Sequence, residues 1–231
     1  IKTKKPKEYS QILKIQLNKQ YKNKYILYWA AKSCNNVLIV NNAKKAYGDF
    51  SNSGISKIDE NGMVSLYFDC PQNYSTIRKG SLIKEIFYKH VHFVINDKNV
   101  WQKDNIYTHI VNCSIDYKEL VYYMKNKSCL LINSLPHKYY LKEHIPTSFN
   151  LTYKDVKSMD VSQWIIDLVE LSYPKLKKII EKYSIYSLPI IIYCENELCD
   201  QSHKCMYELY KKGFVNIKLY LKGMQEYRKK N

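Results

Sequence analysis

An uninterrupted apolar run, Leu188-Pro-Ile-Ile-Ile-Tyr-Cys194, leads into a polar loop and then a helical pattern that stops at Gly213. β-Branched residues at this density, over so short a length, read as a strand buried on both faces. Such a strand belongs to a mostly parallel sheet covered by helices. It ends in a cysteine, and Glu195-Asn-Glu-Leu-Cys199-Asp-Gln-Ser202 carries the chain to the next helix. Open α/β sheets do chemistry at that carboxyl edge. Backbone N–H groups of the loop and helix start favour negative charge there, so the arrangement predicts a stabilised thiolate at Cys194.

After the helix come Gly213-Phe-Val-Asn-Ile217 and Lys222-Gly223-Met-Gln-Glu-Tyr227; before it lie Cys129-Leu-Leu-Ile-Asn133 and His144-Ile145-Pro146-Thr-Ser-Phe-Asn150. In this order and spacing they resemble the rhodanese-like domain, whose pattern has a strand ending in Tyr-Cys, then Gly-Phe-x-Asn-Val, a closing Gly-Gly-x-x-x-Trp, and an earlier His-Ile-Pro-Gly-Ala. The resemblance spans roughly half the chain, the usual size of one domain. It implies an α/β fold with helices on both faces of the sheet. It also implies a sulfurtransferase that passes sulfane sulfur from a donor, through a persulfide on Cys194, to a protein or small acceptor. In that reading Cys199 assists, and Glu195, Asn196, Glu197, Leu198, Asp200, Gln201 and Ser202 form the cradle. No cofactor is implied, because cysteine itself carries the sulfur.

The chain departs from the family at telling places. Asn133-Ser134-Leu135 stands where Asp-x-Arg is usual, and the loop is longer, lacks Arg and carries Glu195, Glu197 and Asp200. Cys194, Cys199 and Ser202 match the family's C-x-x-x-x-C-x-x-S variant. Related cell-cycle phosphatases begin their loop with Cys-Glu but end it with an Arg that clamps phosphate; Asp200 sits near that place, which argues against phosphatase chemistry. Three acids around the mouth would repel thiosulfate, so a protein persulfide or a cationic donor surface is the expected sulfur source. The same departures support a rival: a catalytically silent structural or interaction subunit of a large assembly such as an organellar ribonucleoprotein. A third reading is oxidation sensing through a Cys194–Cys199 bridge. Zinc on Cys194, Cys199, His203 and Cys205 lacks a standard spacing, and Cys205 reads as a core residue of the helix.

Charge bears on partners. With 37 Lys+Arg against 21 Asp+Glu the net charge is +16, enough to attract RNA or anionic lipid. Basic runs stand at both ends, Lys2 to Lys7 and Arg228 to Lys230. Abundant Tyr and Lys with few Gly fit a compositional bias equally well. Seven cysteines without compact spacing argue against a secreted disulfide framework, so cytoplasm or mitochondrial matrix is the expected location. No apolar stretch has the length of a transmembrane segment. The first residue is Ile, as in a fragment or processed product.

Along the chain, residues 1–24 read as a basic arm, extended or forming one short helix. Residues 25–112 read as a β-rich domain with strands over 37–40, 63–68, 90–95 and 107–111. Residues 113–231 form the rhodanese-like part, with a helix over 117–126 capped by Asp116 or Ser114. Helices over 160–183 break at Pro174, with Asp160 or Ser162 as cap, and a helix over 201–212 closes at Gly213. His90 and His92 alternate along a strand and share one face. Joined by His109 and Cys113 they would suit a transition metal, although half-exposed strand histidines are the simpler reading. Tyr67, Phe68, Phe87, Tyr88, Phe93 and Trp101 are either a base-stacking platform or, more ordinarily, β core.

Overall fold

The computed structural model describes every residue except 34–39, 78–81 and 83, so most of the strand expected over 37–40 lies outside the described residues. The chain divides into two compact units, Ile1–Val111 and Asn112–Asn231. No helix among the described residues is long and apolar enough to cross a membrane. Cys129, Cys194, Cys199 and Cys205 are free thiols, whereas Cys70 and Cys113 are disulfide-bonded, against the expectation from cysteine count and spacing.

The first unit contains β1 (Gln11–Gln16), β2 (Tyr25–Ala30), α1 (Ala43–Tyr47), β3 (Ser53–Lys57), β4 (Met63–Phe68), β5 (Tyr74–Ile77), β6 (Lys84–Phe87), β7 (His90–Asp97), β8 (Val100–Trp101) and β9 (Tyr107–Ile110). Its antiparallel sheet runs β3-β2-β7-β8, with β9 also on β7; β1 pairs with β4 and β5 with β6. Alternation gives each face its own core. Ile26, Tyr28 and Ala30 join Val91, Phe93 and Ile95 over Val64, Leu66 and Phe68. On the other face Trp29 packs with Ala31, Ala46, Tyr47, Tyr74 and Phe87. The expected arm is partly sheet: Leu13, Ile15 and Leu17 recur at period two and pack on the first core. Pairing with β4 therefore overrides the weak helical spacing and leaves Ile12 exposed.

The second unit contains α2 (Tyr117–Asn126), β10 (Leu130–Asn133), α3 (His137–Lys142), β11 (Phe149–Asn150), α4 (Tyr153–Ser158), α5 (Val161–Ser172), α6 (Pro174–Lys182), β12 (Ile190–Tyr193), α7 (Gln201–Lys211), β13 (Ile217–Tyr220) and α8 (Gly223–Lys230). The four strands are parallel in the order β11-β10-β12-β13. Leu130, Ile132, Ile190, Ile192, Ile217 and Leu219 face one core with residues of α4 to α7. Leu131, Ile191, Tyr193 and Tyr220 face the other, with Leu120 of α2 and Met224 of α8. Each such side chain contributes roughly 1.5–3 kcal/mol by leaving water, which is why an apolar run without alternation suits this sheet. Asp116 closes a capping box with Glu119, Asp160 accepts from Ser162 and Gln163, and Pro174 opens α6 where its missing N–H costs nothing.

Candidate functional site

β12 delivers Cys194 to the carboxyl edge of the sheet, and the loop to Asp200 returns the chain to α7. Two glycine-type positions hold this edge. Gly223 has φ +54°, and a Cβ there would collide with the Cys194 carbonyl and come within 2.8 Å of Glu195. That close approach lets Met224 and Gln225 donate their N–H groups to the carbonyls of Cys194 and Glu195, at 3.0 and 2.9 Å. Thr147 occupies the other position at φ +68°, where the family motif has Gly. Beneath the edge, the buried Tyr193 hydroxyl gathers Asn133 Nδ2 at 3.0 Å, Ile145 N–H at 2.9 Å and Ser148 Oγ at 2.8 Å. Ser134 Oγ donates to the Tyr193 carbonyl at 2.9 Å. The Asn133-Ser134 departure thus makes a neutral hydrogen-bonded floor.

Cys194 is only 1% exposed. Its Sγ donates to the Cys199 carbonyl at 3.1 Å and stands 3.7 Å from the Asn196 carbonyl and 3.4 Å from Ser202 Oγ. Burial pushes the thiol up to about 11; the Ser202 hydroxyl and N–H pull it down, and the neighbouring Cys199 thiol raises it. The stabilised thiolate expected from the helix start is therefore corrected. Desolvation of the anion outweighs the donors at Ser202.

The loop satisfies several of its groups internally. Cys199 N–H donates to the Asn196 carbonyl at 3.0 Å and Leu198 N–H to Asn196 Oδ1 at 3.1 Å. Leu198 points out at 95% exposure, Glu197 is exposed and Cys199 half-buried. The expected acidic mouth is tempered by pairing. Arg228 of α8 forks onto Glu195, Nη1 to Oε1 at 2.5 Å and Nη2 to Oε2 at 3.2 Å, and donates Nε to Glu143 at 2.6 Å. Asp200 pairs with Lys204 at 2.7 Å, which lowers its pKa, and accepts from Gln201 at 2.8 Å. Sequence reasoning places Arg228 only in a basic run; its partners lie far off in the chain, and nothing local marks them.

The structure does not gather the zinc set Cys194, Cys199, His203 and Cys205. Cys205 is fully buried, donates to the Leu151 carbonyl at 3.4 Å and sits in the core of α7. Among the described residues no group of three His, Cys, Asp or Glu is arranged for a metal ion.

In the first unit, His109 pairs with Val91. It therefore shares the face of Val91, opposite to that of His90 and His92, which removes it from the expected set. His90 is buried rather than half-exposed, at 5%. Its Nε2 lies 3.1 Å from His92 Nε2, 2.9 Å from Tyr47 Oη and 3.4 Å from Tyr74 Oη. Burial lowers both histidine pKa values, that of His92 to about 4. Tyr74, Phe87 and Trp29 pack around this pair, so Phe87 belongs to a core rather than a base-stacking platform.

The second unit is thus an α/β domain in which a four-stranded parallel sheet carries a cysteine at its carboxyl edge and leads by one loop into a helix. Residues 116–230 match the sequence profile of the rhodanese-like domain, and the carboxyl-terminal half of the chain belongs to that family. Similar solved structures include a human single-domain sulfurtransferase, 13% identical, covering 52% of this chain and 99% of its own at a TM-score of 0.40. A Saccharomyces cerevisiae single-domain sulfurtransferase is 15% identical, covering 54% and 95% at 0.36. A Bacillus halodurans protein is 20% identical, covering 52% and 74% at 0.36. No curated protein matches the sequence.

Proposed function

We propose that the rhodanese-like half is a catalytically silent structural or interaction subunit of a larger assembly. The supporting observation is Cys194 itself, 1% exposed with its S–H given to the Cys199 carbonyl at 3.1 Å. Attack on a sulfane sulfur needs a thiolate and an open mouth. With the thiol pushed up to about 11, about one part in ten thousand is ionised at neutral pH. The charge of +16 gives the chain affinity for a polyanion such as RNA. The test is intact-mass spectrometry of the full chain after incubation with thiosulfate and with a protein persulfide. The expected result is no one-sulfur gain at Cys194, together with RNA retention that weakens steeply as salt rises.

A second reading is the sulfurtransferase, with Cys194 as persulfide carrier and Cys199 assisting. It is favoured by Ser202, whose hydroxyl at 3.4 Å and backbone N–H both stabilise an anion on the sulfur. A one-sulfur gain in the wild type that disappears in Cys194→Ser overturns the silent reading in favour of this one.

A further inference from the structure

A second candidate site lies in the first unit, outside the rhodanese-like half. His90 and His92 project from alternate positions of β7 to one face and bring their Nε2 atoms to 3.1 Å. The proton assignment follows from their other nitrogens. His90 Nδ1 is 2.5 Å from the Tyr88 carbonyl, which can only accept, so in the neutral ring Nε2 carries a bare lone pair. His92 Nδ1 stands 2.8 Å from Thr108 Oγ1, a hydroxyl that can accept or donate. Its Nε2 faces His90, and in the tautomer where Nδ1 donates to the Thr108 hydroxyl this second Nε2 presents a lone pair as well. In that tautomer two imidazole lone pairs converge across 3.1 Å, where a bound cation would take the place of the single N–H···N hydrogen bond that the other tautomer makes.

The phenols complete the pattern. Tyr47 Oη is 2.9 Å from His90 Nε2 and 3.3 Å from Tyr74 Oη, which is itself 3.4 Å from His90 Nε2. Donors held at about 2.0–2.1 Å around one ion stand roughly 2.9–3.4 Å apart, from octahedral to tetrahedral angles. These four of the six separations among the donors fall in that interval. Both imidazoles are anchored on the far side by oxygen, as metal-bound histidines are. The half-buried His92 offers a way in from solvent.

We propose that His90 Nε2, His92 Nε2 and the Tyr47 oxygen bind a first-row divalent transition-metal ion, with Tyr74 as fourth donor. Imidazole and phenol oxygen favour Cu²⁺, which also heads the general affinity order. On binding, the Tyr47 phenol gives its proton to solvent and its oxygen becomes a phenolate ligand, with no redox step.

The test is a Cu²⁺ titration of the full chain with its accessible thiols blocked by N-ethylmaleimide. The expected result is one tight equivalent with a visible phenolate-to-copper charge-transfer band. Tyr47→Phe should lose or markedly weaken the band while a weaker equivalent remains. His92→Gln should loosen binding by more than about a hundredfold, the upper end of the cost of losing an outer-shell partner. Circular dichroism checks that both variants fold. Absence of a one-equivalent step, or equal affinity in wild type and folded His92→Gln, overturns the proposal and leaves a hydrogen-bonded histidine pair.

Discussion

Cys194 in the second unit and His90 in the first are both buried at the end of a strand of their sheet, 1% and 5% exposed. Desolvation acts on both in the same way, by penalising the charged form. It raises the thiol and lowers the imidazole, so each is held neutral. The chemical consequences are opposite. A neutral thiol has lost its nucleophilicity, whereas a neutral imidazole has gained its lone pair for a metal or a proton. What surrounds them sharpens the contrast. Carbonyl oxygens converge on the sulfur and hold its proton, while His90 spends its only proton away from the cluster, on Tyr88.

The largest effect should come from opening the sulfur side of this comparison. Gly223→Ala puts a methyl group against the Cys194 and Glu195 backbone at a φ that disfavours side chains. Neither neighbour is a flexible side-chain end, so the loop and α8 must separate. A loss of about 3 kcal/mol or more is expected, read as a fall in the denaturant midpoint. An unshifted midpoint would show that the wall over Cys194 is soft.

Next in size is the reactivity of the thiol. With iodoacetamide at neutral pH, Cys199 should be alkylated first because it is half-buried and at the loop surface. Cys194 should react about a hundredfold more slowly than a thiol with the ordinary pKa, because the thiolate fraction at neutral pH falls about tenfold for every pH unit by which burial raises the group. Its rate should climb with pH toward about 11. The sign for stability follows. The unfolded chain releases this proton first, so stability present below pH ~9 should decline as pH rises toward 11. Equal alkylation rates for Cys194 and Cys199 at neutral pH would contradict the closed site.

Tyr193→Phe probes the floor rather than the wall. Removing the hydroxyl leaves Asn133, Ile145 and Ser148 short of a buried partner. Unmet groups of this kind cost about 1–3 kcal/mol in total stability, measurable by thermal or urea unfolding. No change would mean that water takes the place of the hydroxyl.

Thr147→Gly should move stability the other way. A β-branched residue at φ +68° is strained, and glycine relieves it at no steric cost, for a gain of about 1 kcal/mol. A drop in midpoint instead would mean that the Thr side chain contributes more than its backbone costs.

Much of the second unit is legible in the sequence because its signals are local. The helix over 117–126 has its capping box four residues wide, and the Ile190–Tyr193 strand announces burial by composition alone. The site is legible to the level of which residues form the loop, but not their state. Whether Cys194 is a thiolate depends on how fully it leaves water and on carbonyl directions, neither of which a residue string encodes. The same holds for His109, whose exclusion rests on pairing with Val91. β1 escapes a reading from sequence because its closely spaced apolar residues fit either period, and only β4 decides between them.

The smallest effect tests whether surface charge or packing keeps Cys194 closed. Arg228 ties Glu195 at the loop to Glu143 after α3, and all three side chains are 38–50% exposed. Solvent screens such pairs, so Arg228→Gln should cost less than about 1 kcal/mol, and less still at high salt. Its effect on the thiol should likewise be slight, because the main cause of the raised pKa is burial and not charge. If alkylation of Cys194 in Arg228→Gln accelerates tenfold while the unfolding midpoint holds, the fork is the latch on this loop. Closure would then be a matter of three exposed charges, and the contrast with the histidine pair would rest on a removable contact rather than on burial.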